Sequence, residues 1–492
     1  MTLDFAERAA EEVGAEPRRL QLYIDGEWRG TKESVPLVSP VTGEVVAEVP
    51  VPTRADVGQA VAAARLAQRA WQEEGAFQRA ELCHRIGAEI TARVAELARL
   101  QTLEQGKPLA ESVSDVEEAA RLFHLHAEDL VRLNGETLPV TDPSKRMLTF
   151  RRPVGTWAII TPWNFPVLMM AEFVAPGLAT GNALVVKPPA HTCLAVLEAM
   201  AAFEAAGLPR GLVNILPGGG EVGEMLLQAE GFDAIGFIGS SATGARIQAA
   251  AGLRRTIMEC SGNGPMVVCA DADLERAARA ATYGAYLCSG QVCCATERVL
   301  VDRSVHPQFV EACLEEARKV HLGDPFAPEV NLGPLNNEAV AAKMDRHLAD
   351  AVSRGARLLI GGSRQQNMPT PLYYQYTVLD GVLPSMAAFR EESFGPLLPI
   401  TVAAGDRELL ELANADDLGL QAAVFTRDLA RAFRFAEQLQ VGQVIVNDTT
   451  DYWDINMPFG GAGGKRSGWG RIGGKWTLMD MSDIRTAVID LS

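Results

Sequence analysis

The chain has 492 residues, 48% hydrophobic and 22% charged, a balance that predicts a well-packed globule of about three domains and excludes a disordered chain. Its formal net charge of −17 argues against nucleic acid and anionic lipid, which are held by lysine and arginine, and leaves a small molecule as the expected partner. No apolar run reaches the roughly 18 residues of a membrane helix, and the opening MTLDFAERAAEEVGAEPRR is polar and acidic, so a cytoplasmic protein without a membrane span or secretory signal is expected.

LYIDGEW, near the start, predicts a short strand and turn. Residues 55 to 133 predict helices: Ala, Leu and Val recur at helical spacing in DVGQAVAAARLAQRAW and AELCHRIGAEITARVAELARLQTLEQ, with a break at GKP. LPVTDPSKRMLTFRRPVG then reads as a protruding hairpin, its turn at DPSK. From about 155 to 270, the short apolar runs TWAII, ALVVK, LVNIL, AIGFI and RTIME alternate with helical segments. That alternation implies a parallel sheet covered on both faces, which binds ligands at the carboxyl ends of its strands. A second alternating region carries RVLVD, LLIGG, LLPITV, AAVFT and QVIVN, and the tail DIRTAVIDL reads as a strand able to extend a neighbouring sheet.

Eight cysteines, at 83, 193, 260, 269, 288, 293, 294 and 313, show no CxxC pairing, which argues against a disulfide framework and a structural zinc site. The seven histidines are scattered without ligand spacing, so no metal is expected.

Several short stretches admit a chemical and a structural reading. FIGSSATG places Gly239 at a strand end and Gly244 at the start of a helix: either an anion-binding turn or a bare tight turn. In VVKPPAHT, Lys187 follows a buried strand and is either a solvated terminus or a ligand contact. Asn164 in TPWNFP is either an Asx turn or a fixed donor for a developing oxyanion. Glu259 in MECSGNGP is either a surface carboxylate or a general base. The vicinal Cys293 and Cys294 in CSGQVCCATERV are either buried thiols or contain a nucleophile, whose activation must come from groups distant in sequence.

Jointly these pieces resemble the aldehyde dehydrogenase superfamily over nearly the whole chain: LYIDGEW, SPVTGEV, PVGTWAIITPWNFP, ALVVKP, FIGSSATG, MECSGNGP, GQVCCATERV, EESFGP and MPFGG occur in family order. The resemblance implies an α/β fold with a Rossmann-like nucleotide-binding domain (1–134 and 153–260) and a catalytic domain with the nucleophilic Cys (261–450). It also implies an oligomerisation element (135–152 and 475–492), and a return through 451–474 to the nucleotide-binding domain and the substrate tunnel. The family's Gly-Gln-x-Cys motif matches Gly290, Gln291 and Cys293, which resolves the pair in favour of Cys293, with Cys294 in the pocket wall.

By the same resemblance, Cys293 attacks an aldehyde, Asn164 and a backbone N–H hold the oxyanion, and Glu259 activates the water that hydrolyses the thioester to a carboxylic acid. Lys187, Trp163, Gly239, Ser240, Glu392 and Phe394 are expected to hold NAD or NADP. Ala190 stands where many NAD-preferring members carry Glu; with His191 nearby, use of both cofactors is expected. Phe173 and Ile472 replace a Lys and a Glu thought to relay protons, and Glu172 stands where Trp is common. Phe165, Glu172, Trp453 and Phe459 are expected at the substrate, the three rings favouring an apolar or aryl aldehyde. A homodimer or homotetramer is expected. A coenzyme A acylating enzyme and a noncatalytic binding protein are the competing readings; the presence of Glu259, Cys293 and Asn164 disfavours both.

Overall fold

Unbroken runs of Val, Ile, Leu and Ala suit strands buried on both faces, and five of the predicted runs form the parallel middle of one sheet. The computed structural model describes residues 16–492; residues 1–15, within the segment read as polar and free of a secretory signal, lie outside the described residues. The sheet has eight strands, its middle ordered Arg255–Glu259, Ala234–Ile238, Thr156–Ile160, Ala183–Lys187 and Val213–Ile215. Every residue of Thr156–Ile160, Ala183–Lys187 and Ala234–Ile238 is buried. Leu22–Ile24 and Glu27–Arg29 add antiparallel strands at one end, Gly468–Trp469 at the other.

From Thr156–Ile160 the chain first builds outward through Ala183–Lys187 and Val213–Ile215, then returns to the opposite side for Ala234–Ile238. Such a reversal opens a crevice at the carboxyl ends of the two central strands. The loops there are 161–164 and 239–240.

The alanine-rich periodic region folds as helices Arg54–Trp71, Ala76–Thr91, Val94–Gln105 and Leu109–Leu130. The first starts at a capping box between Thr53 and Asp56. The predicted break at GKP is real: Gly106 ends its helix in the left-handed conformation, φ 100°.

The second sheet has seven strands, ordered Arg357–Ile360, Thr377–Asp380, Leu397–Ala403, Thr296–Asp302, Gly264–Val268, Gln421–Phe425 and Gln443–Val446. All its pairings are parallel except that of Arg357–Ile360. Gly264–Val268 is not among the strands the sequence predicts, because a proline inside a run argues against a central strand. Pro265 is accommodated at a register shift between Gly264 and Pro265, where the ladder is already interrupted.

The predicted hairpin forms between Thr137–Leu138 and Lys145–Pro153, and the tail strand Ser482–Asp490 pairs antiparallel along the whole of Lys145–Pro153. A small sheet of Arg18–Arg19, Ser34–Val38 and Val45–Pro50 was not predicted. Among the described residues no helix is long and apolar enough to cross a membrane, and all eight cysteines are unpaired.

Candidate active site

A cavity of about 820 Å³ opens where the two large sheets face each other. Its wall gathers segments far apart in sequence: Trp163, Asn164 and Phe165 after one central strand, Gly239 and Ser240 after the other, and Glu259 at the end of a third. Cys293, Cys294, Glu392, Phe394, Trp453 and Phe459 complete it. Three predicted site residues are not on this wall: Lys187, Ala190 and Glu172.

The loop before Cys293 is held in an unusual shape. Cys288, Ser289 and Gly290 are consecutively left-handed, at φ 50°, 57° and 74°, which costs about 1–2 kcal/mol for each of the two non-glycine residues. Buried hydrogen bonds offset this: the Cys288 N–H donates to Glu111 at 2.9 Å, the Ser289 hydroxyl to the Gly333 carbonyl at 2.9 Å, and the Gln291 amide to the Cys288 carbonyl at 2.8 Å. Gly290 admits no side chain, since a Cβ would stand 2.1 Å from the Gly395 carbonyl oxygen. Cys293 is thereby presented, half-buried, at the cavity.

The Asn164 Nδ2 donates to the Gln291 carbonyl at 2.9 Å, tying the Asn164 loop to the cysteine loop. One amide hydrogen remains for another acceptor. Glu259 is buried, its Oε1 has no hydrogen-bond partner among the described residues, and it lies close enough to the Cys293 thiol for the two to influence each other's protonation. Burial pushes its pKa up to about 8; the thiol lowers it and the charge of Glu392 raises it. The Cys293 thiol is pushed well above its ordinary range, by the hydrogen bond with Cys294 first, then by burial, then by Glu259. A neutral thiol beside a carboxylate of raised basicity is an acid–base pair poised for proton transfer.

At the other end of the cavity, helix Ser241–Ala251 points its N-terminus at the wall, with Ser240 as its cap. The Glu392 carboxylate accepts from the Gly262 N–H at 3.1 Å. Phe394, left-handed at φ 56°, is braced by Glu297, which sequence reasoning did not single out: its two carboxylate oxygens accept the N–H groups of Ser393 at 2.9 Å and Phe394 at 2.8 Å. The Phe394 ring meets Trp163 edge to face, centroids 5.4 Å apart. Lys187 is buried at the end of its strand and donates to the Gly218 carbonyl at 2.8 Å. A capped helix terminus for phosphates, a carboxylate for ribose hydroxyls and flat rings at one end match the chemistry of a nicotinamide dinucleotide.

The model of the aldehyde dehydrogenase family matches residues 28–487. The chain belongs to that family. Betaine aldehyde dehydrogenase of Beta vulgaris chloroplasts is 34% identical over 485 residues, covering 96% of each chain. Among solved structures, an NADP-dependent enzyme of E. coli superposes with a TM-score of 0.94 at 33% identity, covering 96% of this chain and 98% of that one. An NAD-dependent aldehyde dehydrogenase of Sinorhizobium meliloti gives 0.93 at 33%, covering 97% and 96%. The chain is an NAD(P)-dependent aldehyde dehydrogenase that oxidises an aldehyde to a carboxylic acid.

This aldehyde dehydrogenase carries apolar side chains at positions 173 and 472, and only the second lines the cavity. Phe173 is fully buried, and a Cβ on Gly236 would touch its ring at 2.6 Å, so it packs beneath strand Ala234–Ile238. Ile472 lines the cavity and bonds through its backbone to Phe459. Glu172 is fully buried behind the wall, both oxygens without a hydrogen-bond partner among the described residues. Burial, then the charge of Glu259, pushes its pKa up to about 8. Glu172 follows Leu168 by four residues and Met169 by three on the same helix face, but lies a turn further along the axis, behind the wall that they form.

Proposed function

We propose that Cys293 is the nucleophile, Glu259 the general base and Asn164 an oxyanion donor in this oxidation. The observation that carries the proposal is the convergence of these three side chains, from three separate segments, on one cavity wall, with the Asn164 amide tied to the cysteine loop. Glu259 takes the thiol proton, and the sulfur bonds to the carbonyl carbon, whose oxygen becomes an oxyanion. The free hydrogen of the Asn164 amide and the Cys293 backbone N–H donate to that oxygen. When bound, the nicotinamide supplies the acceptor for the hydride that leaves the carbon as the thioester forms. Once Glu259 has released the first proton to solvent, it removes a proton from the attacking water; the carbon–sulfur bond breaks with its electron pair returning to the Cys293 sulfur, and the acid departs.

Lys187, Trp163, Gly239, Ser240, Glu392 and Phe394 would hold the dinucleotide. Ala190 itself offers no carboxylate to the adenosine ribose, and Lys187 balances the one acid within charge range of it, Glu221, so both cofactors are expected to be used. The substrate arm, lined by Phe165, Leu168, Met169, Trp453 and Phe459, favours an aldehyde with an apolar or aryl body. A panel of aldehydes assayed by reduced-nicotinamide absorbance with NAD and with NADP, with and without coenzyme A, tests this reading. Acid is expected as product whether or not coenzyme A is added, with kcat/KM for the two cofactors within about a thousandfold; acyl-coenzyme A as product would refute hydrolysis.

The domain division at 1–134 with 153–260, 261–450 and the hairpin with the tail follows the sheets, and eight unpaired cysteines suit a reducing cytoplasm. Ile484, Val488 and Ile489 on the tail strand are exposed, and that strand has one unpaired edge. An exposed apolar edge strand is a pairing surface. Light scattering at micromolar concentration is expected to give a dimer or tetramer; a 52.8 kDa particle would refute it.

A further inference from the structure

Helix Glu338–Ser353 borders the cofactor end of the cavity, with Val340 and Lys343 on the wall. The Lys343 ammonium stands 5.8 Å from the centroid of the Phe394 ring. His347 comes one turn after Lys343 on the same helix face. It is fully buried and is not part of the cavity wall. Both of its ring nitrogens are nevertheless engaged. Nδ1 lies 2.9 Å from the Ser393 hydroxyl, and Nε2 lies 3.2 Å from the Glu391 carboxylate. A hydroxyl can donate or accept, so the bond to Ser393 holds in either tautomer of the imidazole.

These two contacts fall on either side of Glu392, since Glu391 and Ser393 are its neighbours in the chain. Arg346, from the same helix, also donates to the Glu391 carboxylate at 2.9 Å. Ser393 is thereby held twice: its N–H by Glu297 of the second sheet, and its hydroxyl by His347 of the helix. The segment lies directly on that helix, because a Cβ on Gly395 would stand 2.6 Å from the Met344 sulfur. Phe394, between these points, is left-handed at φ 56°, a conformation that a non-glycine residue keeps only where its surroundings hold it. Loss of the imidazole would leave the buried Ser393 hydroxyl without its partner and release one side of this clamp.

We propose that His347 is a positioning residue for the nicotinamide ribose end of the cofactor: by fixing Glu391 and Ser393 it sets the directions of Glu392 and Phe394. The proposal rests on the reading above that Glu392 and Phe394 hold that end of the dinucleotide. His347 acts through its neighbours and touches neither cofactor nor aldehyde. The adenosine end of the site lies on the first sheet, around Lys187 and the capped helix Ser241–Ala251, so it does not depend on this clamp.

The test measures binding of NAD and of ADP by calorimetry; ADP has the adenosine and the pyrophosphate but no nicotinamide ribose. His347→Phe keeps a flat ring and removes both hydrogen bonds. It is expected to weaken NAD by about threefold or more, as loss of a buried hydrogen bond would, and to leave ADP unchanged within about twofold. A smaller loss for NAD, or an equal loss for both ligands, overturns the proposal. Ser393→Ala removes the other partner of the same bond and is the smaller change should the phenylalanine variant not fold. The same split between NAD and ADP is expected of it, and full NAD affinity in this variant overturns the proposal. In the double variant the two losses are expected not to add, because both report one bond; losses that add overturn it. Glu392→Gln separates the two readings. If it leaves NAD binding unchanged, the cofactor reading of the segment fails. If it weakens NAD while His347→Phe does not, only the positioning role fails.

Discussion

Cys293→Ala is expected to remove aldehyde oxidation, lowering kcat/KM by roughly four to six orders of magnitude, as loss of a covalent nucleophile does. Cys294→Ala is expected to cost far less. The two thiols are adjacent in sequence, and both reach the cavity wall, but their surroundings differ. Cys293 is half-buried at the cavity beside Glu259; Cys294 is buried and faces Asp451. Only the first combines exposure to the cavity with a loop tied to the Asn164 amide. Steady-state formation of reduced nicotinamide by the two variants decides the assignment, with circular dichroism as the control for folding. Comparable losses in both would mean that neither thiol alone forms the covalent bond.

Glu259→Gln is expected to separate the two halves of the reaction. Solvent can still take the thiol proton, so a slowed first burst of reduced nicotinamide persists, while steady-state turnover falls by roughly a hundredfold to ten-thousandfold for want of a general base. The native enzyme's pH profile follows from the same group. A base acts in its deprotonated form, and burial raises the Glu259 pKa to about 8, so activity is low while the group is protonated and rises as pH passes through that value. Between pH 7 and pH 9 the deprotonated fraction, and with it kcat, is expected to rise about tenfold. The glutamine variant lacks this rising limb in its hydrolytic step. A native profile flat over that range, or a variant that retains the limb, would show that Glu259 does not supply the base.

Glu172 lies close enough for its charge and that of Glu259 to oppose each other, so the two carboxyls resist ionising together. This pairing arises where Phe173 and Ile472 leave the site without the ionisable residues of relatives. Glu172 thus feels the charge of Glu259 from behind the wall, whereas the Glu259 carboxyl itself is raised by burial and by the charge of Glu392.

Much of this protein is determined by local sequence. Runs such as TWAII, ALVVK and AIGFI are buried on both faces and carry the β-branched composition of parallel strands, so their place in a sheet is legible without coordinates. Helical periodicity and the break at Gly106 are equally local, and the turn at DPSK marks the hairpin. The candidate reacting groups were also legible, since Asn164, Glu259 and Cys293 lie in stretches whose order along the chain carries the family resemblance.

What only the tertiary structure decided is which side chains meet without being neighbours in sequence. Glu297 braces Phe394 across almost a hundred residues of chain, a separation of 97. Pro265 enters a central strand because the ladder is broken at that point. Periodicity and propensity describe a residue's own segment, whereas burial, hydrogen-bond satisfaction and pKa depend on whatever other segments the fold brings within a few ångströms. For that reason the candidate reacting groups were readable in the chain, while the buried contacts that surround them were not.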